Sequence, residues 1–119
     1  MAVLAIFTNP SITKDHYEAL RKEVGWETKL AAGGIFHAAS FDDKGGIHVA
    51  DVWESADALN QFVSSRLMPA MQKLGLSAPS VEVYPVHNAN AYEAVTRYVL
   101  KSGKKAPAKG KTARKKKSK

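Results

Sequence analysis

Three side chains in this 119-residue chain could join in a site that moves a proton: His37, Asp51 and His87. A carboxylate beside an imidazole fixes its tautomer and raises its basicity, which is how a general base is built. Such a base would take a proton from an activated carbon or a phenol. Trp53 and Phe62 are flat and apolar and could wall a site for an aromatic ligand. Arg66 could pair with a ligand carboxylate or enolate, and Asn88 would add an amide beside His87.

The same residues have structural uses. Trp53 stands directly before a helix signal, where a large aromatic fills core space. Asp51 could bond a strand end or pair with Arg66, and His87 with Asn88 could cap the following turn. Of the other histidines, His16 falls in the first turn of a surface helix. His48 lies on the strand face opposite Asp51 and Trp53. A metal held by His37, Asp51 and His87 would lack any short ligand spacing, so none is expected. There is no GxxxxGK[ST] loop, no HExxH and no G-x-S-x-G; "AAGG" (31–34) is a loop before a strand.

The elements that must position these groups follow from periodicity. "AVLAIFT" (2–8) is apolar throughout, so both its faces need cover, and it reads as a central strand. Thr13 caps a helix whose stripe is Tyr17, Leu20 and Val24, and Gly25 ends it in the left-handed conformation. "GIFHAASF" (34–41) and "IHVADVW" (47–53) flank "DDKGG" and read as a hairpin. Asp51 and Trp53, two apart, share one face of its second strand. Ser55 caps the next helix, whose stripe is Leu59, Phe62, Val63, Leu67, Met71 and Leu74, broken or kinked at Pro69. "SVEVYPVH" (80–87) is the last strand, placed at an edge by Pro85. A final helix is expected over 90–101, capped by Asn90 or Asn88.

The order β-α-β, β-α-β is the ferredoxin-like arrangement: an α+β fold with an antiparallel βαββαβ sheet and both helices on one face. The apolar first strand leaves the helix-free face needing cover, and a second copy packing sheet to sheet as a homodimer is the economical answer.

The residues "GGIFHAASF", "VADVWESADALNQFVSSRLMPAM" and "VEVYPVHN" resemble the dimeric α+β barrel superfamily, and within it the small antibiotic-biosynthesis-monooxygenase-like proteins. The likeness spans residues 2–88. It implies a barrel formed by two sheets across the dimer, and a pocket between sheet and helices. Members of the group oxidise aromatic polyketides without metal or flavin; others isomerise or dechlorinate small molecules, and some degrade haem. The haem-degrading branch needs a histidine and a tryptophan on the second helix, and residues 55–76 contain neither. The expected function is therefore a cofactor-free monooxygenase or isomerase acting on an aromatic or enolisable small molecule. A noncatalytic ligand-binding dimer and a nucleic-acid-associated protein tethered by its tail are the alternatives.

Charge divides the chain unevenly. Residues 101–119 hold ten bases and no acid, whereas residues 1–100 hold eight bases against eleven acids. The fold therefore belongs to residues 1–100, and residues 101–119 form a Lys-rich tail expected to be disordered. Its expected use is sequence-independent, salt-sensitive contact with DNA, RNA or anionic lipid, the alternative being a solubilising tail without a partner; without aromatics it offers no stacking platform. There is no cysteine, which excludes disulfides and thiolate chemistry and fits a cytoplasmic location. No apolar run is long enough for a transmembrane segment. "MAVLAIFTNPS" reads as the first strand and not as a signal peptide.

Overall fold

The computed structural model describes residues 1–100; the expectations of disorder and polyanion contact for residues 101–119 fall outside them. Met1–His87 form one unit, and the segment from Asn88 onward is a second.

In the first unit, strand β1 (Val3–Asn9) buries Val3, Ala5, Phe7 and Asn9 and leaves Leu4, Ile6 and Thr8 half-buried. This alternation shows one covered and one partly open face. β1 is central, with β3 (Ile47–Trp53) on one side and β4 (Ser80–Pro85) on the other; β2 (Gly34–Phe41) lies outside β3. All pairs are antiparallel. This is the ferredoxin-like sheet expected, with β4 at an edge as Pro85 requires. The hairpin has the expected bounds. Asp42 closes its turn by accepting from the backbone N–H groups of Lys44 and Gly46, both at 3.0 Å.

Helix α1 (Lys14–Val24) starts at Thr13, whose hydroxyl accepts from the His16 N–H while the His16 ring bonds the Thr13 backbone. It ends at Gly25, φ +71°. Tyr17, Leu20 and Arg21 are its buried residues. The guanidinium of Arg21 enters the core with partners, pairing with Glu18 and with Glu27 (2.9 Å).

The second helical region has three parts. Helix α2 (Ala56–Phe62) is capped by Ser55. A π-helical turn, Val63–Leu67, follows, in which the Met68 N–H bonds the Val63 carbonyl. Helix α3 (Met68–Lys73) then carries Pro69 in its first turn. Pro69 cannot donate to the preceding turn, and the wide turn absorbs the mismatch. The core is Val3, Ala5, Phe7, Ile47, Val49 and Trp53 from the sheet, closed by Ile12, Tyr17, Leu20, Leu59, Ala70 and Met71.

In the second unit, the helix expected over 90–101 is a short 3₁₀ helix, Glu93–Tyr98. Tyr92 precedes it without a side-chain cap, so neither Asn90 nor Asn88 plays that part. Val95, Thr96 and Tyr98 are weak helix formers. Tyr92, Tyr98 and Val99 are exposed, so no buried face stabilises a longer helix. Among the described residues no helix is long and apolar enough to cross a membrane.

Candidate active site

The strand register places the expected base and carboxylate together. His37 pairs with Asp51, which pairs with Ala5, which pairs with Val83. This row runs across the whole sheet on the face toward the helices, because Ala5 and Asp51 are both buried. The face shared by Asp51 and Trp53 is thus the helix side, and His48 lies on the other, where it bonds Asp42 at 2.9 Å.

His37 Nδ1 lies 2.6 Å from Asp51 Oδ1. The other carboxylate oxygen accepts from the Trp53 indole N–H at 3.3 Å. On the far side of the imidazole, Nε2 lies 2.8 Å from the Tyr17 hydroxyl. Burial pushes the Tyr17 phenol well above its ordinary range; the Glu27 charge adds to this and Arg21 opposes it. The phenol is therefore a proton donor at neutral pH. With the Nδ1–H donating to the Asp51 carboxylate, the lone pair on Nε2 is left to accept from the Tyr17 hydroxyl. The result is a hydroxyl–imidazole–carboxylate relay, the hydrogen-bond order that activates hydroxyl groups in acyl-transfer triads. Asp51 is 7 % exposed, whereas the His37 side chain is 36 % exposed. The relay has a buried anionic end and an imidazole at the surface.

Aromatic rings surround it. The Tyr17 and His37 rings are nearly parallel (8°), 6.2 Å between centroids. Trp26 stands 5.4 Å from His37 and 5.8 Å from Tyr17, and Phe41 meets Tyr17 edge-on at 5.9 Å. Neither Tyr17 nor Trp26 is among the site residues read from the sequence. Tyr17 sits in the apolar stripe of α1 and reads as core, and its partner is twenty residues away. Trp26 follows the helix-ending Gly25 and has no periodic context at all.

The other expected residues fall elsewhere. Trp53 is buried, with Phe62 at 5.2 Å, so it backs Asp51 and presents no free wall. Arg66 neither reaches Asp51 nor faces the relay. Its Nη2 donates to the carbonyls of Lys29 (2.6 Å) and Val24 (3.1 Å), and its Nη1 to that of Leu30 (3.5 Å). Its guanidinium also lies 5.5 Å over the Phe62 ring. His87 is exposed. It lies two residues past the end of the opposite edge strand, which stops at Pro85 and not at His87 as expected, so about 14 Å of sheet width alone separates it from His37. The structure does not bring it to the relay. Asn88 belongs to the second unit. A depression of about 330 Å³ is lined by Glu23, Val24, Ser65, Arg66, Pro69 and Lys73, among others, away from His37. Among the described residues no cluster could hold a metal ion.

No protein-family model matches the sequence, and no curated protein does. Solved structures do match. A conserved protein from Methanosarcina mazei Go1 superposes with a TM-score of 0.55 at 16 % identity, over 71 % of this chain and 91 % of that one. A protein from Chloroflexus aurantiacus J-10-fl, named provisionally as an antibiotic biosynthesis monooxygenase, gives 0.54 at 18 %, over 76 % and 98 %. SnoaB, a cofactor-independent oxygenase from Streptomyces nogalater, gives 0.52 at 13 %, over 74 % and 92 %. The chain shares the α+β fold of these solved structures.

Proposed function

We propose that this chain is a small-molecule enzyme in which His37 is the general base and Asp51 its orienting partner. The observation that carries the reading is the 2.6 Å contact between the His37 Nδ1 and the buried Asp51 carboxylate. A carboxylate buried at mid-strand against an imidazole supports this reading, since such groups gather at functional sites. The substrate is an aromatic or enolisable molecule whose acidic O–H or C–H reaches Nε2 in place of the Tyr17 hydroxyl. His37 takes that proton, and Asp51 stabilises the imidazolium. Returning the proton to a different atom of the substrate isomerises it. Alternatively the carbanion reduces dioxygen: a CH₂ group becomes a carbonyl, with one oxygen atom retained and the other leaving as water with both hydrogens. The fold shared with a cofactor-independent oxygenase supports the second course.

Deuterium exchange at the activated carbon of anthrones and 1,3-dicarbonyl compounds, followed by NMR in D₂O alongside oxygen uptake, tests this. Wild-type protein should catalyse the exchange, and His37→Gln should slow it by about 10²- to 10⁴-fold. Asp51→Asn should slow it too. Exchange no faster than in buffer, or unchanged in His37→Gln, overturns the base. Binding without exchange or oxygen uptake would leave a ligand-binding module.

The reading includes a homodimer. On the helix-free face Phe36, Val52, Leu4 and Tyr84 pair in sequence to form one apolar row across all four strands. Phe36 and Tyr84 are 43 % and 49 % exposed, which a second copy would cover.

A further inference from the structure

We propose that loop 25–33 is a lid over His37 and that Arg66 is its latch, a positioning residue for the base. The inference rests on the general-base reading above. That reading needs a ligand at Nε2, yet the Tyr17 hydroxyl occupies Nε2 and the Trp26 ring stands beside the imidazole. A ligand would displace the Tyr17 hydroxyl, which belongs to α1, directly; what it must also pass is the Trp26 ring, and the loop carries that ring. Gly25 (φ +71°) stands at one end, where glycine gives the backbone freedom to turn, and Gly33 (φ +84°), packed against Ala58, anchors the other. Between them the chain forms a small closed turn, with the Thr28 and Lys29 N–H groups both bonding the Gly25 carbonyl (3.2 and 2.9 Å). Trp26 therefore moves with its neighbours. Trp26 and Ala31 pack against the core, whereas Leu30 between them is 81 % exposed.

Two side-chain ties hold the loop down, besides the Glu54 N–H that bonds the Gly33 carbonyl at its anchored end (2.8 Å). Glu27 pairs with Arg21, and Arg66 donates to the Lys29 and Leu30 carbonyls while also bonding Val24 at the end of α1. Arg66 thus joins the moving part to the fixed helix through one planar fork, a geometry lysine cannot reproduce. The same guanidinium rests on Phe62, Phe62 on Trp53, and the Trp53 indole bonds Asp51. The latch is seated against the wall behind the base. Its place within the π-helical turn agrees with this, since such turns gather at functional sites.

The test compares wild type, Arg66→Ala and Arg66→Lys. Three readouts are used: amide exchange over residues 26–32, acrylamide quenching of tryptophan fluorescence, and diethylpyrocarbonate modification of His37 read by mass spectrometry. Trp53 is 4 % exposed, so a change in quenching reports Trp26. In Arg66→Ala, exchange and His37 modification should each rise roughly tenfold, the scale of losing charge-assisted hydrogen bonds. Quenching should rise with them, and Arg66→Lys should fall between. Unchanged values in folded Arg66→Ala overturn the latch. If that variant does not fold, unchanged values in Arg66→Lys overturn it. None of the readouts needs turnover: a working latch in a protein that catalyses no carbon exchange would sink the base and leave the lid.

Discussion

Tyr17 carries two roles in one side chain. Its ring belongs to the core, and its hydroxyl closes the relay on His37. Because burial holds the phenol's folded value above the ordinary 10.0, the folded protein keeps a proton that the unfolded chain releases. The contribution is fully present below that pH and is lost as pH rises above it. In urea titrations at increasing alkaline pH, stability should therefore decline more steeply in wild type than in Tyr17→Phe; parallel declines would remove Tyr17 as the cause. His37 and Asp51 could be joined from the letters because a turn of "DDKGG" closing position 41 onto 47 also sets 37 against 51. Tyr17 could not, since an aromatic in a helical stripe reads as packing and only the docking of α1 brings its hydroxyl to the imidazole.

At the scale of elements, the loop from α1 to β2 is constrained where it meets α2. A Cβ on Gly33 would lie 2.5 Å from the Ala58 Cβ, and the residue sits at φ +84°. Gly33→Ala should destabilise the fold by about 1–3 kcal/mol in urea unfolding. Adding Ala58→Gly should relieve the clash but not the backbone strain, so recovery should be partial; full recovery would show that the strain is negligible. The hairpin, the helix caps and the break at Pro69 were readable because each has a residue signature: paired glycines, Thr13 and Ser55, a missing N–H. The π-helical turn has none, and the direction of Arg66 depends on it. The final helix is shorter than its pattern predicts, because Tyr92, Val95 and Val99 suit a helix that finds a partner.

For the whole molecule, strand order and the uncovered sheet face followed from an apolar first strand and a repeated βαβ unit. Parity alone told that Asp51 and Trp53 share a side, but not which side, because that depends on where the helices settle. The apolar row Phe36–Val52–Leu4–Tyr84 sets the prediction here. Light scattering at micromolar concentration should give a dimer for wild type and a monomer for Val52→Glu, whose charge would be trapped between sheets. A wild-type monomer would overturn the barrel.

The π-helical turn makes the number of residues between Phe62 and Met68 matter as much as their identity. In an unbroken α-helix Arg66 would follow Leu59 by two full turns and point with it into the core. The extra residue rotates the arginine by roughly 100°, onto the flank where the loop carbonyls wait. Deleting Leu67, after the arginine, would restore the α-helical register with Arg66 still aligned with Leu59 and turn a cation inward with nothing to receive it. Deleting Val63, Ser64 or Ser65 would instead put it six residues after Leu59, about 120° away and near its present flank, so the place of a deletion should matter more than its composition.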